Sequence, residues 1–328
     1  MNLIIHIGWH KTGTTSIQEF LLKNQVSLQK NDKVYYPSEG LLQCAHHVLA
    51  WSLQEKKTSP WGDIPLTTPK AIIEAAIVSA SAHGCENIIF SSEEFCTLSK
   101  EQIKLLHAIT STTKGTTSIV AYIRRQDLII ESSYNMEVKW WGTRLAEDFP
   151  EYIKRKTPYI KYNHTLEAWA DVFGKDQIKV IPYSPENFFG GDIRLDFCST
   201  ANLTPEGLYF EKERINDSLS PKSLEFLKTI NKTQLPQETH NKIVIRLFEY
   251  DSQNYSPKCV LFTEEQRVRF MEELNQSNMQ LEKFTTNLSP LILTSENLPS
   301  KNTHSLTPEE FQEIMKFVNL GENHIEHL

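Results

Sequence analysis

The sequence predicts an α/β fold in which a central, mainly parallel β-sheet is flanked by helices and is followed by a helical C-terminal part. Three observations lead to this prediction. Four short β-branched runs are apolar almost throughout, as in strands that are buried on both faces. Amphipathic helical patterns lie between these runs, and after about Gly190 the strand signals fade while helical patterns continue. Strands that alternate with helices form right-handed βαβ units and therefore a parallel sheet.

The predicted elements follow one another along the chain. The strands are Leu3–Ile7, Asn87–Ser91, Ser118–Ile123 and Gln177–Ile181. Apolar stripes at helical spacing are formed by Ile17, Phe20 and Leu21, by Ile72, Ile73, Ala76 and Ile77, and by Ile103, Leu106 and Ile109. Later helices are expected near Ser220–Asn231, Asn241–Tyr250, Glu264–Lys283 and Pro308–Val318. We predict one domain over residues 1–290 and a helical extension over residues 291–328 that packs on it.

Composition excludes several classes of protein. The chain has 328 residues, of which 39% are hydrophobic and 23% charged, as is usual for globular proteins. The net charge of −7 argues against a general affinity for nucleic acid. No apolar run reaches the roughly 18 residues of a membrane span, so stable membrane insertion is not expected. With no targeting segment recognised at the N-terminus and no paired spacing of cysteines, the sequence indicates a cytoplasmic protein without a disulfide framework or zinc site. The cysteines are Cys44, Cys85, Cys96, Cys198 and Cys259.

The first strand leads into a glycine-containing loop and then a helix, which is the context of a phosphate-binding loop. Gly8 and Gly13 permit tight turns, and the N–H groups at the start of a helix favour an anion. Nucleotide triphosphatases use G-x-x-x-x-G-K-[ST], whereas here Thr14 stands at the lysine position and the lysine is Lys11. This shift weakens the case for Mg²⁺-dependent cleavage of a nucleoside triphosphate.

Residues Lys11–Ser16 read K-T-G-T-T-S. They resemble the K-[TS]-G-[TS]-[TS]-[SL] loop of the sulfotransferases that use 3′-phosphoadenosine 5′-phosphosulfate (PAPS), whose fold is P-loop NTPase-like. The resemblance to bacterial members covers roughly the first 200 residues and extends through Ser91–Phe95, Tyr122–Asp127 and Gly190–Asp192, with Arg214–Pro221 as a further similar segment.

The resemblance implies which residues bind the co-substrate. Lys11 and the following Thr12, Gly13, Thr14, Thr15 and Ser16 would hold the 5′-phosphosulfate, and Arg124 and Ser132 the 3′-phosphate. Arg124 ends a predicted strand and Ser132 follows eight residues later, so both side chains can face one ligand. The neighbouring Arg125 and Gln126 depart from the Asn-Pro of many family members. Because Arg125 is adjacent to Arg124, either the two arginines exchange roles or Arg125 is a solvated residue at the start of a helix.

Transfer to an alcohol needs a base for the hydroxyl proton. Glu93 and Glu94 follow a buried strand, where open α/β sheets carry their sites, and the resembled family often has a glutamate there. His46 and His47 are the rival candidates because imidazole titrates near neutrality. No metal site is expected.

The sequence therefore predicts sulfuryl transfer from PAPS to a hydroxyl of a small molecule or, by the resemblance, a carbohydrate. Trp51, Trp61, Trp140 and Trp141 could either stack on a sugar or pack in a core. A P-loop kinase or triphosphatase and a non-catalytic nucleotide-binding protein are the alternatives. The sequence does not predict the oligomeric state.

Overall fold

A computed structural model describes residues 1–211, 218–257, 259–293 and 305–318 of the chain. The strands are β1 (Asn2–His6), β2 (Val34–Tyr35), β3 (Thr58–Ser59), β4 (Gly62–Asp63), β5 (Asn87–Ser91), β6 (Thr117–Ile123) and β7 (Ile178–Pro182). The α-helices are α1 (Thr14–Lys23), α2 (Gln25–Asp32), α3 (His47–Leu53), α4 (Pro69–Ala82), α5 (Lys100–Thr110), α6 (Gln126–Lys139), α7 (Phe149–Lys156), α8 (Tyr162–Phe173), α9 (Ile193–Ala201), α10 (Pro221–Asn231), α11 (Gln237–Gln253), α12 (Glu264–Met279) and α13 (Pro308–Val318).

The central sheet has five parallel strands in the order β2-β5-β1-β6-β7. Each predicted strand matches an observed one to within a residue, because uninterrupted β-branched runs are stable only where both faces are covered. β1 lies at the centre, between β5 and β6, with Ile4 opposite Ile89 and Ser118. The α/β fold class with a parallel sheet flanked by helices and a helical C-terminal part is therefore confirmed.

The described chain divides into two compact units. The first is formed by Met1–Arg125, Lys161–Glu213 and Leu274–Ile292, and the second by Gln126–Ile160, Arg214–Glu273 and Leu293–Leu328, in each case counting described residues only. The division into residues 1–290 and 291–328 stays a prediction. Of the extension, residues 291–293 and 305–318 are described, and α13 forms where a helix was predicted.

The first unit contains the sheet and its main hydrophobic core. On one face, the stripe of α1 and the buried side of α9 pack against residues of β5 and β6, with Phe20, Ile89, Tyr122 and Phe197 among the buried side chains. Helices α4, α5 and α8 pack against strands and one another in the same unit. Since parallel strands end together at one edge, the loops after β1, β5 and β6 meet at the carboxyl edge of the sheet.

The second unit contains α6, α7, α10, α11, α13 and most of α12. Its interior holds a buried ion pair, since Arg267 binds Asp127 and also Glu131, the latter at 2.8 Å, and all three groups are shielded from solvent. The predicted helix Glu264–Lys283 is present, but α12 ends at Met279 and continues as a 3₁₀ turn over Gln280–Lys283.

Candidate functional site

The loop between β1 and α1 is tight, and three of its residues have a left-handed backbone conformation. Gly8, Lys11 and Gly13 have φ of 48°, 66° and 76°. The buried hydroxyl of Thr12 donates to the Trp9 carbonyl at 2.6 Å and accepts the Trp9 N–H at 3.4 Å. The side chain of Thr12 thus closes the loop on itself, which leaves only its backbone for a ligand.

Gly13 is required by close packing as well as by its backbone conformation. A Cβ atom at this position would lie 2.5 Å from Ile193 Cδ1 and 3.2 Å from Tyr183 Cε2. Ile193 begins α9 directly after Asp192, whose carboxylate accepts the Arg194 N–H at 2.8 Å. The segment Gly190–Asp192, noted in the sequence, therefore contributes by placing α9 against the loop.

The N-terminus of α1 has no side-chain cap from the described residues. Gly13 provides no side-chain cap, and the first turn carries no acidic residue. Among the described residues, none accepts a hydrogen bond from the N–H groups of Thr14, Thr15 or Ser16. Thr14 is buried, Ser16 is half-buried and Thr15 is exposed. These N–H groups and the positive end of the helix dipole form an anion-binding arrangement.

Two cationic side chains meet at this loop. Arg124, which follows β6, donates from Nη1 to the Lys11 carbonyl at 3.2 Å, and its guanidinium lies 5.1 Å from the centre of the Tyr183 ring. The Tyr162 hydroxyl donates to the Arg124 carbonyl at 2.5 Å and fixes the backbone there. Burial, together with the nearby charge of Arg124, lowers the pKa of Lys11.

Neither cation is neutralised by the protein in the described part of the chain. No described Asp or Glu oxygen lies within 4.0 Å of the Lys11 ammonium or the Arg124 guanidinium. Two partly buried cations that repel each other without a carboxylate between them are an unfavourable arrangement, which an anionic ligand would relieve.

The remaining residues that the sequence suggested for the donor site are divided between the two units. Ser132 is half-buried on α6 and belongs to the second unit, whereas Lys11–Ser16 and Arg124 belong to the first. Arg125 is buried. Of the similar segment Arg214–Pro221, residues 214–217 lie outside the described residues, and Ser220 caps α10.

The two candidate glutamates begin a 3₁₀ turn after β5 and have different partners. Glu93 Oε2 accepts a hydrogen bond from Gln18 Nε2 of α1 at 2.9 Å. Glu94 Oε2 accepts from Trp51 Nε1 at 3.0 Å and lies 3.3 Å from Lys56 Nζ. A Cβ on Gly8 would lie 3.4 Å from Glu93 Cα, so the loop after β1 approaches Glu93 closely.

Glu93 is held in its ionised form. Burial would raise its pKa, but the positive charge that His10 and His47 carry when protonated, together with the hydrogen bond from Gln18, outweighs burial and lowers it. Glu93 is therefore a carboxylate at neutral pH, ready to accept a proton, whereas Glu94 is already occupied by an indole N–H and an ammonium.

The two candidate histidines are both buried but differ in what their ring nitrogens do. His46 Nε2 lies 2.9 Å from the Pro37 carbonyl, and its Nδ1 accepts the Ser91 N–H at 3.1 Å. Burial lowers the pKa of His46 to about 4. Both nitrogens of His46 thus connect β5 to the segment before α3, and neither is left for a substrate.

His47 keeps one nitrogen for other contacts. Its Nδ1 lies 2.8 Å from the buried Ser92 hydroxyl, which already accepts the Glu94 N–H at 3.2 Å. The Ser92 proton needs an acceptor, and Nδ1 is its partner among the described residues, so the ring proton belongs on Nε2. Burial lowers the pKa of His47, against the raising effect of Glu93 and Glu94. Neutral His47 therefore presents an N–H donor.

Sequence reasoning missed Gln18 as a partner of Glu93, and it did not group the candidate residues Trp51 and Trp61 with His47. Gln18, which is buried and links α1 to Glu93, lies one helical turn after Thr14 and could have been found by that spacing. Trp51 and Trp61 gather around His47, with ring centres 5.2 and 5.8 Å from the imidazole. Trp140 and Trp141 belong to the second unit, and Trp141 stacks with the guanidinium of Arg144.

Membrane-spanning helices and metal-binding clusters are both absent from the part of the chain that the structure describes. No helix in that part of the chain is long and apolar enough to cross a membrane. No three His, Cys, Asp or Glu side chains there lie close enough together to hold a metal ion.

Comparisons with known proteins add two similarities. No protein-family profile matches the sequence. An uncharacterized protein of Archaeoglobus fulgidus is 30% identical over 248 residues, which are 70% of this chain, and the chain spans 65% of the length of that relative. A sulfotransferase from Alicyclobacillus acidocaldarius has a similar structure, with a TM-score of 0.42 and 18% identity over 65% of this chain and 86% of that one. Neither similarity by itself assigns an activity to the protein.

Proposed function

We propose that the protein is a sulfotransferase that moves a sulfuryl group from PAPS to an acceptor hydroxyl. One observation carries the proposal. Lys11 and Arg124 come together at the uncapped start of α1 without a carboxylate partner among the described residues, and they do so within a loop whose sequence resembles the 5′-phosphosulfate loop.

The residues present fit a ligand with two separate anionic groups. The N–H groups of Gly13–Ser16, the hydroxyls of Thr14, Thr15 and Ser16, and the Lys11 ammonium would hold the 5′-phosphosulfate. Arg124, with its planar fork, would hold the 3′-phosphate. The role of Ser132 at the same phosphate stays a prediction from the sequence. Because Thr14 replaces the lysine of triphosphate-binding loops, the loop suits this donor better than ATP.

The chemical step is a direct in-line displacement at sulfur. The acceptor oxygen forms a new S–O bond while the bond between sulfur and the 5′-phosphate oxygen breaks, and the adenosine 3′,5′-bisphosphate leaves with that electron pair. Lys11 and the loop N–H groups stabilise the charge that grows on the leaving oxygen, so the step as proposed uses no metal ion.

Glu93 is the proposed base that takes the acceptor proton. It is ionised, lies beside the loop at Gly8 and is oriented by Gln18. The other candidates are less suited, because Glu94 is bound to Trp51 and Lys56, His46 uses both ring nitrogens, and His47 already carries its proton on Nε2.

The acceptor class and the setting of the reaction are part of the same proposal. We take the acceptor to be a carbohydrate hydroxyl and the protein to act in the cytoplasm, without nucleic-acid partners. A kinase and a non-catalytic nucleotide sensor are the competing functions. The binding experiment below separates a kinase from a sulfotransferase, and an assay of sulfuryl transfer separates the sensor.

Calorimetry with the product adenosine 3′,5′-bisphosphate tests the proposal. In EDTA, the bisphosphate should bind at least as tightly as ATP does with Mg²⁺. Arg124→Ala should weaken the bisphosphate about 10- to 150-fold, since a charged hydrogen bond contributes about 1.5–3 kcal/mol, and should affect adenosine 5′-phosphate much less.

The matched control is Arg246→Ala, because the Arg246 guanidinium also lies over an aromatic ring, at 4.7 Å from the centre of Phe317, in the second unit. It should leave both affinities unchanged. A strict requirement for Mg²⁺ with preference for ATP would favour a kinase and reject the sulfotransferase. Tight bisphosphate binding without sulfuryl transfer to water or any acceptor would favour a nucleotide sensor.

A further inference from the structure

A group of three stacked rings lies beside the candidate base in the first unit. The His47 imidazole stacks on Trp51, with ring centres 5.2 Å apart, and on Trp61, with ring centres 5.8 Å apart and planes inclined by only 12°. Trp51 is buried on α3, one helical turn after His47, and contacts Trp61 at 5.9 Å. Trp61, in contrast, is 50% exposed. We call His47, Trp51 and Trp61 the aromatic platform.

The exposed ring of the platform is held in place by a short hairpin. Trp61 lies in the turn between β3 and β4, and its backbone N–H donates to Ser59 Oγ at 3.2 Å. The same hydroxyl donates to the Gly62 carbonyl at 3.0 Å, and the hairpin is anchored by the buried Ile64. Such a large, fixed and half-exposed indole is typical of a recognition surface, because its position needs no further ordering when a ligand binds.

The platform contacts the segment that carries the two glutamates. His47 contacts Ser92, the residue before Glu93, and Trp51 donates to the Glu94 carboxylate at 3.0 Å. Glu93 and His47 lie near enough for each to change the proton affinity of the other. An acceptor whose hydroxyl reaches Glu93 would therefore lie within reach of the platform.

The charges and donors around the platform select among acceptors. Among the described residues, the ion pair of this glutamate pair is the one between Lys56 and Glu94, and a neutral His47 adds no charge, so the two carboxylates disfavour an anionic group placed directly beside them. An indole face, the His47 Nε2–H donor and the Glu93 acceptor suit a ring with C–H groups on one face and several hydroxyls at its rim. A simple phenol has one hydroxyl and uses only one of these polar groups.

We propose that His47, Trp51 and Trp61 form the acceptor subsite and that it takes a neutral pyranoside, whose apolar face lies on Trp61 and one of whose hydroxyls accepts from His47 Nε2–H. This inference rests on the proposed function for the role of Glu93 as the base.

Saturation-transfer NMR with defined saccharides tests the subsite without any need for turnover. The probes are methyl β-D-glucopyranoside, methyl β-D-galactopyranoside, cellobiose and lactose, with glucuronate and 4-nitrophenol for comparison. Each is measured with and without saturating adenosine 3′,5′-bisphosphate. We expect a saturation-transfer signal from at least one neutral saccharide. This signal should fall at least fivefold in Trp61→Ala and stay within twofold of the wild type in Trp61→Phe.

Tyr255→Ala is the matched control, because Tyr255 is an aromatic side chain that is 95% exposed and lies in the second unit. It should leave the signal unchanged, and Trp61→Ala should leave bisphosphate affinity within twofold. The inference is overturned if Trp61→Ala retains the saccharide signal, if glucuronate or 4-nitrophenol binds better than every neutral saccharide, or if no saccharide binds. Failure of the bisphosphate to bind would reject the proposed function instead, since the saccharide experiment without bisphosphate is independent of it.

Discussion

Replacing Lys11 tests the proposed chemical step most directly. Lys11 is partly buried, has no carboxylate partner among the described residues and lies in the loop beside Arg124. A unit charge about 4 Å from the departing oxygen contributes roughly 4 kcal/mol at an effective dielectric constant of 20. Loss of one donor to a developing charge commonly costs on the order of 10²–10³ in rate. The two estimates agree, so we expect Lys11→Ala to lower the transfer rate by about 10²–10³.

Donor affinity should change less than the rate, by about tenfold or less, because the loop N–H groups and Arg124 remain. Lys11→Arg should restore little of the rate, since a planar guanidinium does not replace the point charge of an ammonium in a loop closed by Thr12 and Trp9. The assay is single-turnover transfer from labelled PAPS with enzyme in excess, to water and to the saccharide that binds best.

Lys33→Ala is the matched control for this variant. Lys33 also has a left-handed backbone, with φ of 53°, but it pairs at the surface with Glu86 at 2.5 Å. Its replacement removes the same charge, and leaves an alanine in the same left-handed conformation, away from the loop, so the rate should stay within about twofold. A folded Lys11→Ala protein that turns over like the wild type would refute the proposed role of Lys11 in leaving-group stabilisation.

Three further predictions concern the surroundings of the loop. Gln18→Leu removes the hydrogen bond that helps to lower the pKa of Glu93, so the acid limb of the pH–rate profile should move to higher pH. The control is Gln25→Leu, which removes a hydrogen bond to the Tyr36 carbonyl and should leave the acid limb unchanged. Gly13→Ala should lower the urea midpoint of unfolding more than Gly84→Ala does. Both substitutions add about 1–2 kcal/mol of left-handed backbone strain, but of the two only Gly13 has a neighbour, Ile193, within 4 Å of the new methyl group. Equal midpoints of the two variants would contradict this reasoning and show that α9 moves aside. Burial lowers the pKa values of His6 and His46 from 6.5 to about 4, so the unfolded chain binds protons before the folded protein does. The free energy of unfolding should therefore fall as the pH drops from 6.5 to 4, by roughly 3 kcal/mol for each residue. In urea titrations His46→Gln should halve this pH dependence, and an unchanged pH dependence would contradict the assignment.

The sequence by itself determined the strands of the sheet and the place of the glycine-containing loop that we propose binds an anion. Both are local features. A run such as Asn87–Ser91 is apolar because each of its faces is covered, and that requirement is written into consecutive residues. The loop is likewise predicted from Lys11–Ser16, which lie at the junction between a strand and a helix. Glycine, lysine and hydroxyl-bearing residues at such a junction suit an anion, and this pattern does not depend on distant parts of the chain.

Only the tertiary structure decided which of the candidate side chains have capacity left for a substrate. Glu93 and Glu94 are neighbours in sequence, as are His46 and His47, and no local pattern distinguishes the members of either pair. Their partners come from distant segments: Gln18 from α1 binds Glu93, whereas Trp51 and Lys56 bind Glu94. Hydrogen-bond capacity is used up by whatever packs nearby, and the sheet brings together residues that are tens of positions apart. For the same reason no local pattern predicts that Trp61 stacks on His47 in the first unit, whereas Trp140 and Trp141 lie in the second unit.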